Sequence, residues 1–242
     1  MERPTQYTRH VIYLHGFASS PGSSKAQRFG RELARLGVGF SCPDFNLPSF
    51  ETLTIGRMLD QTRDAIATAA GARVALAGSS LGAFVALHAA DADTTGRVDR
   101  LILMAPALDF GGNRLRQLGE HGIDEWRRRG RLEVFHYALN RPAEVGFELY
   151  EDAARYDAWA VEVRWPTLVF QGTRDASVDP AMVTRWASSQ PAVDLRLYDD
   201  DHQLTASVDT IWRESARFME LADRSDAPGL KTRPPSGSTS GI

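Results

Sequence analysis

Short apolar runs alternate along the chain with segments whose apolar residues recur at helical spacing. Val11-Ile12-Tyr13-Leu14 predicts a buried strand that ends at His15-Gly16. Phe29, Leu33 and Leu36 then form a helical stripe, with Ser24 and Gln27 expected to open it as a capping box and Gly37 to close it. Val38 to Cys42 predicts a second strand. Glu51 to Ala70 predicts a second helix, with Leu53, Met58, Leu59, Ala65 and Ile66 on its buried face. Arg73 to Ala77 predicts a third strand, which breaks into Gly78-Ser79-Ser80-Leu81-Gly82 and a small-residue helix from Ala83 to Ala90. Leu101 to Met104, Thr167 to Phe170 and Leu195 to Tyr198 predict three more strands, and Ser207 to Leu221 a last helix. Continuous apolar strands between helices predict an α/β fold, a mostly parallel, doubly wound sheet with helices on both faces.

One stretch breaks this rhythm. Residues 109–160 are more than one crossover helix needs, and they are expected to form an inserted lid over the carboxyl edge of the sheet, where open α/β sheets bind ligands. Leu132 to Tyr137, then Asn140-Arg141-Pro142, then Val145 to Tyr150 predict a β-hairpin inside it. Residues 1–108 and 161–222 would form the core. Residues 223–242 are rich in Ser, Gly and Pro and are expected to be a disordered tail.

Composition narrows the function. The 242 residues carry 28 Lys+Arg against 31 Asp+Glu, a formal charge of −3, which speaks against a phosphate-backbone binder, so no nucleic-acid partner is expected. The single cysteine, Cys42, allows no internal disulfide. No apolar run reaches the roughly 20 residues of a membrane span. The first residues also lack the apolar core of a secretory signal, so a cytoplasmic protein is expected.

The chemistry gathers at strand ends. Gly78-Ser79-Ser80-Leu81-Gly82 fits G-x-S-x-G between a strand and a helix, which centres Ser80 on a strained turn that lifts its hydroxyl clear of the sheet. A Cβ at either flanking glycine would collide with the neighbouring strand or helix. A serine nucleophile needs a base and a carboxylate to orient that base. Asp175 follows the Thr167 strand and His202 follows the Leu195 strand, so the chain order is Ser, acid, His, with all three on one edge. The backbone N–H groups of Phe17, in His15-Gly16-Phe17, and of Leu81 are the candidate oxyanion donors, and His15 would brace the first of these loops. Asp179 precedes Pro180 and reads as a helix N-cap, not the acid. Asp199, Asp200 and Asp201 read as a solvated turn, His88 and His136 as packing residues, and Arg127-Arg128-Arg129 as an exposed helix face. Among the aromatic residues of the insert, Phe147, Tyr150, Phe135 and Tyr137 are the candidates for lining an acyl pocket.

These elements together resemble the α/β-hydrolase superfamily, over Val11 to about Leu221. The run His15-Gly16-Phe17-Ala18-Ser19-Ser20-Pro21-Gly22-Ser23-Ser24-Lys25-Ala26 further resembles the YqiA/YcfP-like serine esterases. The resemblance implies an ester hydrolase without metal or cofactor, acting on a small-molecule ester. Joined to the residues, it predicts a serine carboxylesterase for short- to medium-chain acyl esters. An acyl-CoA or other acyl thioesterase, a perhydrolase or haloperoxidase-like enzyme, and a noncatalytic binding protein on the same fold remain alternatives. The insert is longer than in the smallest members of the group, so substrate size does not carry over.

Overall fold

The structure, a computed structural model, describes residues 9–69, 71–110 and 119–221. The expected disordered tail, 223–242, lies outside them, as do residues 111–118 of the insert. The elements run in the order β1 (Arg9–Leu14), α1 (Ser24–Leu36), β2 (Gly39–Ser41), α2 (Ile55–Thr68), β3 (Arg73–Ser79), α3 (Leu81–Asp91) and β4 (Val98–Met104). The insert adds α4 (Gly119–Arg129), β5 (Arg131–His136), β6 (Arg141–Gly146) and α5 (Glu148–Ala153). The chain then returns through β7 (Thr167–Gly172), α6 (Pro180–Ser188), β8 (Val193–Tyr198) and α7 (Val208–Phe218).

Six strands form one sheet in the order β2-β1-β3-β4-β7-β8, and every neighbouring pair is parallel. Strands buried on both faces explain the near-continuous apolar runs. On one face Phe29 and Leu33 of α1 pack with Ile211 and Trp212 of α7. On the other, Ile55 and Met58 of α2, Phe84 of α3 and Trp186 of α6 share the larger core. This is the α/β-hydrolase architecture, and it sends the carboxyl ends of β1, β3, β7 and β8 to one edge.

Local chemistry sets several boundaries differently from the sequence expectation. Helix α1 is capped by Ser23, not Ser24, and no side chain caps it, so the capping box does not form. Gly37 closes the helix at φ 67°, a conformation that suits a residue without Cβ. The expected helix from Glu51 is a short 3-10 turn, Phe50–Thr52, followed by α2, whose Thr54 cap accepts the Arg57 N–H. The insert contains a hairpin, but in a different register. Its strands pair from Arg131 opposite Gly146 to His136 opposite Arg141, and the turn closes through Asn140 at φ 50°. Pro142 therefore lies within β6, where a ribbon with two free edges tolerates a missing N–H. Phe147 and Tyr150 leave the hairpin altogether, because their three-residue spacing follows the helical period.

The buried apolar residues of the insert join the larger core. Trp126 is buried and donates its indole N–H to the Val145 carbonyl at 3.2 Å, with its ring edge-on to Phe147 and Tyr150. The tip of the hairpin is tied to the core by His136. That ring accepts the Leu139 N–H on Nδ1 and donates from Nε2 to Asn46 at 3.0 Å, and Asn46 in turn donates to the Ser19 carbonyl. Arg127 and Arg128 pair with Asp124 and Glu125 one turn away on the exposed face of α4.

Candidate active site

The turn between β3 and α3 is strained at its centre. Ser80 has φ 54° and ψ −117°, a conformation that costs a non-glycine residue of the order of 1–3 kcal/mol. The two flanking glycines make this turn possible. A Cβ on Gly78 would come within 2.4 Å of the Gly82 carbonyl oxygen, and one on Gly82 within 2.0 Å of the Leu14 carbonyl oxygen. Helix and strands can meet this closely only without side chains, and the result is a serine hydroxyl above the sheet edge.

His202 and Asp175 reach this hydroxyl from β8 and β7. The Ser80 Oγ lies 3.1 Å from His202 Nε2, and His202 Nδ1 lies 2.8 Å from Asp175 Oδ2. With Nδ1–H donating to the carboxylate, Nε2 is left to accept the serine proton. Asp175 is buried and saturated with donors. Its Oδ1 accepts the Ser177 and Val178 N–H groups at 2.8 Å each, and Oδ2 also accepts from Gln171 at 3.0 Å. Burial pushes its carboxyl pKa up, but the bond from His202, the Val178 N–H and the Gln171 amide together hold it below the ordinary value. Asp175 is thus a fixed negative charge facing the imidazole.

Gln171 was not among the residues expected from the sequence. It lies at the end of β7, four residues before Asp175, and an amide at that spacing from the candidate acid is the signal that could have found it. Asp179, the rival acid, accepts the Ala181 N–H and caps α6. Asp200 and Asp201 accept backbone N–H groups of their own loop. Among the described residues no group of three or more His, Cys, Asp or Glu could hold a metal ion, and no helix is long and apolar enough to cross a membrane.

The first loop is held by His15. Its Nε2 accepts the Phe45 N–H at 3.0 Å, so Nδ1 carries the proton and donates to the Gly16 carbonyl at 2.9 Å. Burial depresses its pKa and favours this neutral form. Gly16 is close enough to the elbow that a Cβ there would lie 3.4 Å from Ser80 Cβ. Phe17 and Leu81 consequently flank the serine at the same cleft.

That cleft measures about 860 Å³ and is open to solvent. Ser80 and His202 lie in it. Its lining includes the apolar side chains of Phe17, Phe110, Val134, Phe135 and Tyr137 and the polar ones of Tyr13, Ser23, Ser24, Lys25 and Gln203. Phe135 and Tyr137 thus stand where the sequence expected pocket residues. Phe147 and Tyr150 do not line the cleft. They stack on each other at 5.2 Å and support Trp126, because the helical turn that follows β6 points them into the larger core.

Three solved structures show how widely this architecture is shared. A protein of Agrobacterium vitis S4, provisionally described as a hydrolase, is 25% identical, covers 87% of this chain and 88% of its own, and superposes with a TM-score of 0.77. Mouse alpha/beta hydrolase domain-containing protein 10 is 21% identical over 88% of this chain and 90% of its own, with a TM-score of 0.72. Est1E from Butyrivibrio proteoclasticus, solved with ferulic acid bound, is 16% identical over 90% and 91%, with a TM-score of 0.76. No curated protein matches the chain. Residues 10–218 match the uncharacterised protein family UPF0227, and the chain, a member of the α/β-hydrolase superfamily, belongs to that family.

Proposed function

We propose that the protein hydrolyses carboxylic esters through an acyl-enzyme. The observation that carries this reading is the unbroken hydrogen-bond chain from Ser80 through His202 to Asp175, 3.1 Å and 2.8 Å long. Ser80 attacks the ester carbonyl while His202 Nε2 takes the hydroxyl proton and returns it to the leaving alcohol. Water then enters, His202 takes its proton, and the acid product leaves with Ser80 restored. Asp175 keeps His202 in the tautomer that accepts at Nε2 and stabilises the imidazolium that forms. The N–H groups of Phe17 and Leu81 bind the oxyanion, and the Leu81 N–H belongs to the first turn of α3, where the helix dipole adds positive potential. The hairpin side of the cleft, with Phe135 and Tyr137, receives the acyl chain of a short- to medium-chain ester, so the insert acts as a lid.

The test is covalent labelling with a fluorophosphonate alongside hydrolysis of p-nitrophenyl butyrate. Wild-type protein is expected to turn over the ester and to gain one adduct on Ser80, and Ser80→Ala is expected to do neither while keeping its circular dichroism spectrum. Ester turnover that survives in Ser80→Ala would overturn the reading.

A further inference from the structure

Two donors that line the cleft are left unused by the ester chemistry. Tyr13 lies on β1, its side chain is completely buried, and its hydroxyl has no hydrogen-bond partner. The Ser79 side chain acts on this hydroxyl from outside the geometric limits of a hydrogen bond. A buried phenol without a partner is costly, and a bound acceptor group removes that cost. Lys25, in the first turn of α1, lines the same cleft and is 8% exposed. Its Nζ donates to the Gln203 carbonyl at 2.6 Å, and two of its three protons remain. Among the described residues no carboxylate lies within ion-pair distance of it. Asp200 and Asp201, the acidic groups nearest in the fold, are bound to backbone N–H groups instead. The chain otherwise uses arginine. Lysine occurs only at Lys25 and Lys231 among its 28 basic residues, so the compact ammonium at this position is a departure from its own habit.

Position tells which half of the ester meets these donors. The leaving oxygen must approach His202 Nε2 to receive its proton, and Lys25 is bonded to the residue that follows His202. The acyl half is left to the apolar residues of the cleft. We propose that Tyr13 and Lys25 form a recess for a carboxylate carried by the leaving alcohol, so that the substrates are esters of hydroxy acids. One ammonium matches one negative charge, and the phenol supplies a second donor to it. This inference rests on the ester-hydrolase reading.

The test compares two butyrate esters of equal size, one of glycolic acid and one of glycolamide, in wild-type protein and in the Tyr13→Phe and Lys25→Met variants. Wild type is expected to prefer the carboxylate ester in kcat/KM by about tenfold or more, the value of one charge-assisted bond. Each variant should bring that ratio close to one. Because the ratio is taken within each variant, a general loss of activity does not imitate the result. Equal use of both esters by wild type would overturn the recess and leave the ester-hydrolase reading standing, as would a preference that survives in both variants. Hydrolysis of neither ester, together with no turnover of p-nitrophenyl butyrate, would overturn the ester-hydrolase reading itself.

Discussion

Gly172 and Asp200 approach so closely that a Cβ on the glycine would stand 2.5 Å from the Asp200 carbonyl oxygen. The Asp201 carbonyl oxygen would be equally near. This contact sets the distance between the loop that carries Asp175 and the loop that carries His202. Gly172→Ala is therefore expected to push the two loops apart, lowering kcat at least tenfold and destabilising the fold by about 1–3 kcal/mol, the usual cost of overpacking. Ester turnover and urea unfolding of the same preparation check both.

Asp175→Asn should lower kcat by about three to four orders of magnitude, because an amide cannot hold the His202 tautomer. Asp179→Asn should leave turnover nearly intact, since Asp179 caps α6. The two variants assayed side by side check the assignment of the acid.

The His88 pKa is lowered to about 4 from its ordinary 6.5, chiefly by burial against Phe84 and Tyr156. A depressed folded-state value means that the unfolded chain takes up the proton first. The stability contributed by neutral His88 is present above pH 6.5 and is lost as pH falls from 6.5 towards 4. His10, His15 and His136 shift in the same direction. Urea midpoints are expected to fall over this range, and His88→Leu should flatten the fall, which equilibrium unfolding at a series of pH values would measure.

Phe135→Ala or Tyr137→Ala should change the preference between acetate and octanoate esters by several-fold, since each lost apolar contact weighs about 0.8 kcal/mol per methylene. Phe147→Ala should instead destabilise the protein with little change in that preference. Chain-length series and thermal melts separate the two outcomes.

The sheet and the elbow were legible for one reason. Both depend on short-range rules: an apolar run such as Val74 to Ala77 can only be a strand covered on both faces, and Gly78 and Gly82 bracket a turn that tolerates no Cβ. The spacing of Asp175 and His202 at strand ends followed from the same alternation. The insert was less legible because its aromatic residues had two possible neighbours. Phe147 and Tyr150 could face the cleft or Trp126, and the register of the hairpin decided between them through a turn at Asn140 that Pro142 disguised. Tyr13 was hidden for a different reason. It sits in a strand whose other residues are core, and nothing local marks its hydroxyl as unpaired.

The chain leaves the sheet at Met104 and comes back on the adjacent strand, where Met104 is paired with Phe170. Everything between these two points is suspended from neighbouring hydrogen-bonded strands, and the sheet closes over the gap as if nothing had been inserted. That segment is nonetheless anchored: the Ala107 N–H donates to the Ser80 carbonyl, and Trp126, Val145 and Leu149 join the larger core. Selection can thus vary the exposed tip of the hairpin, at Tyr137 and Leu139, more freely than the parts of the insert that are bound to the elbow and the core.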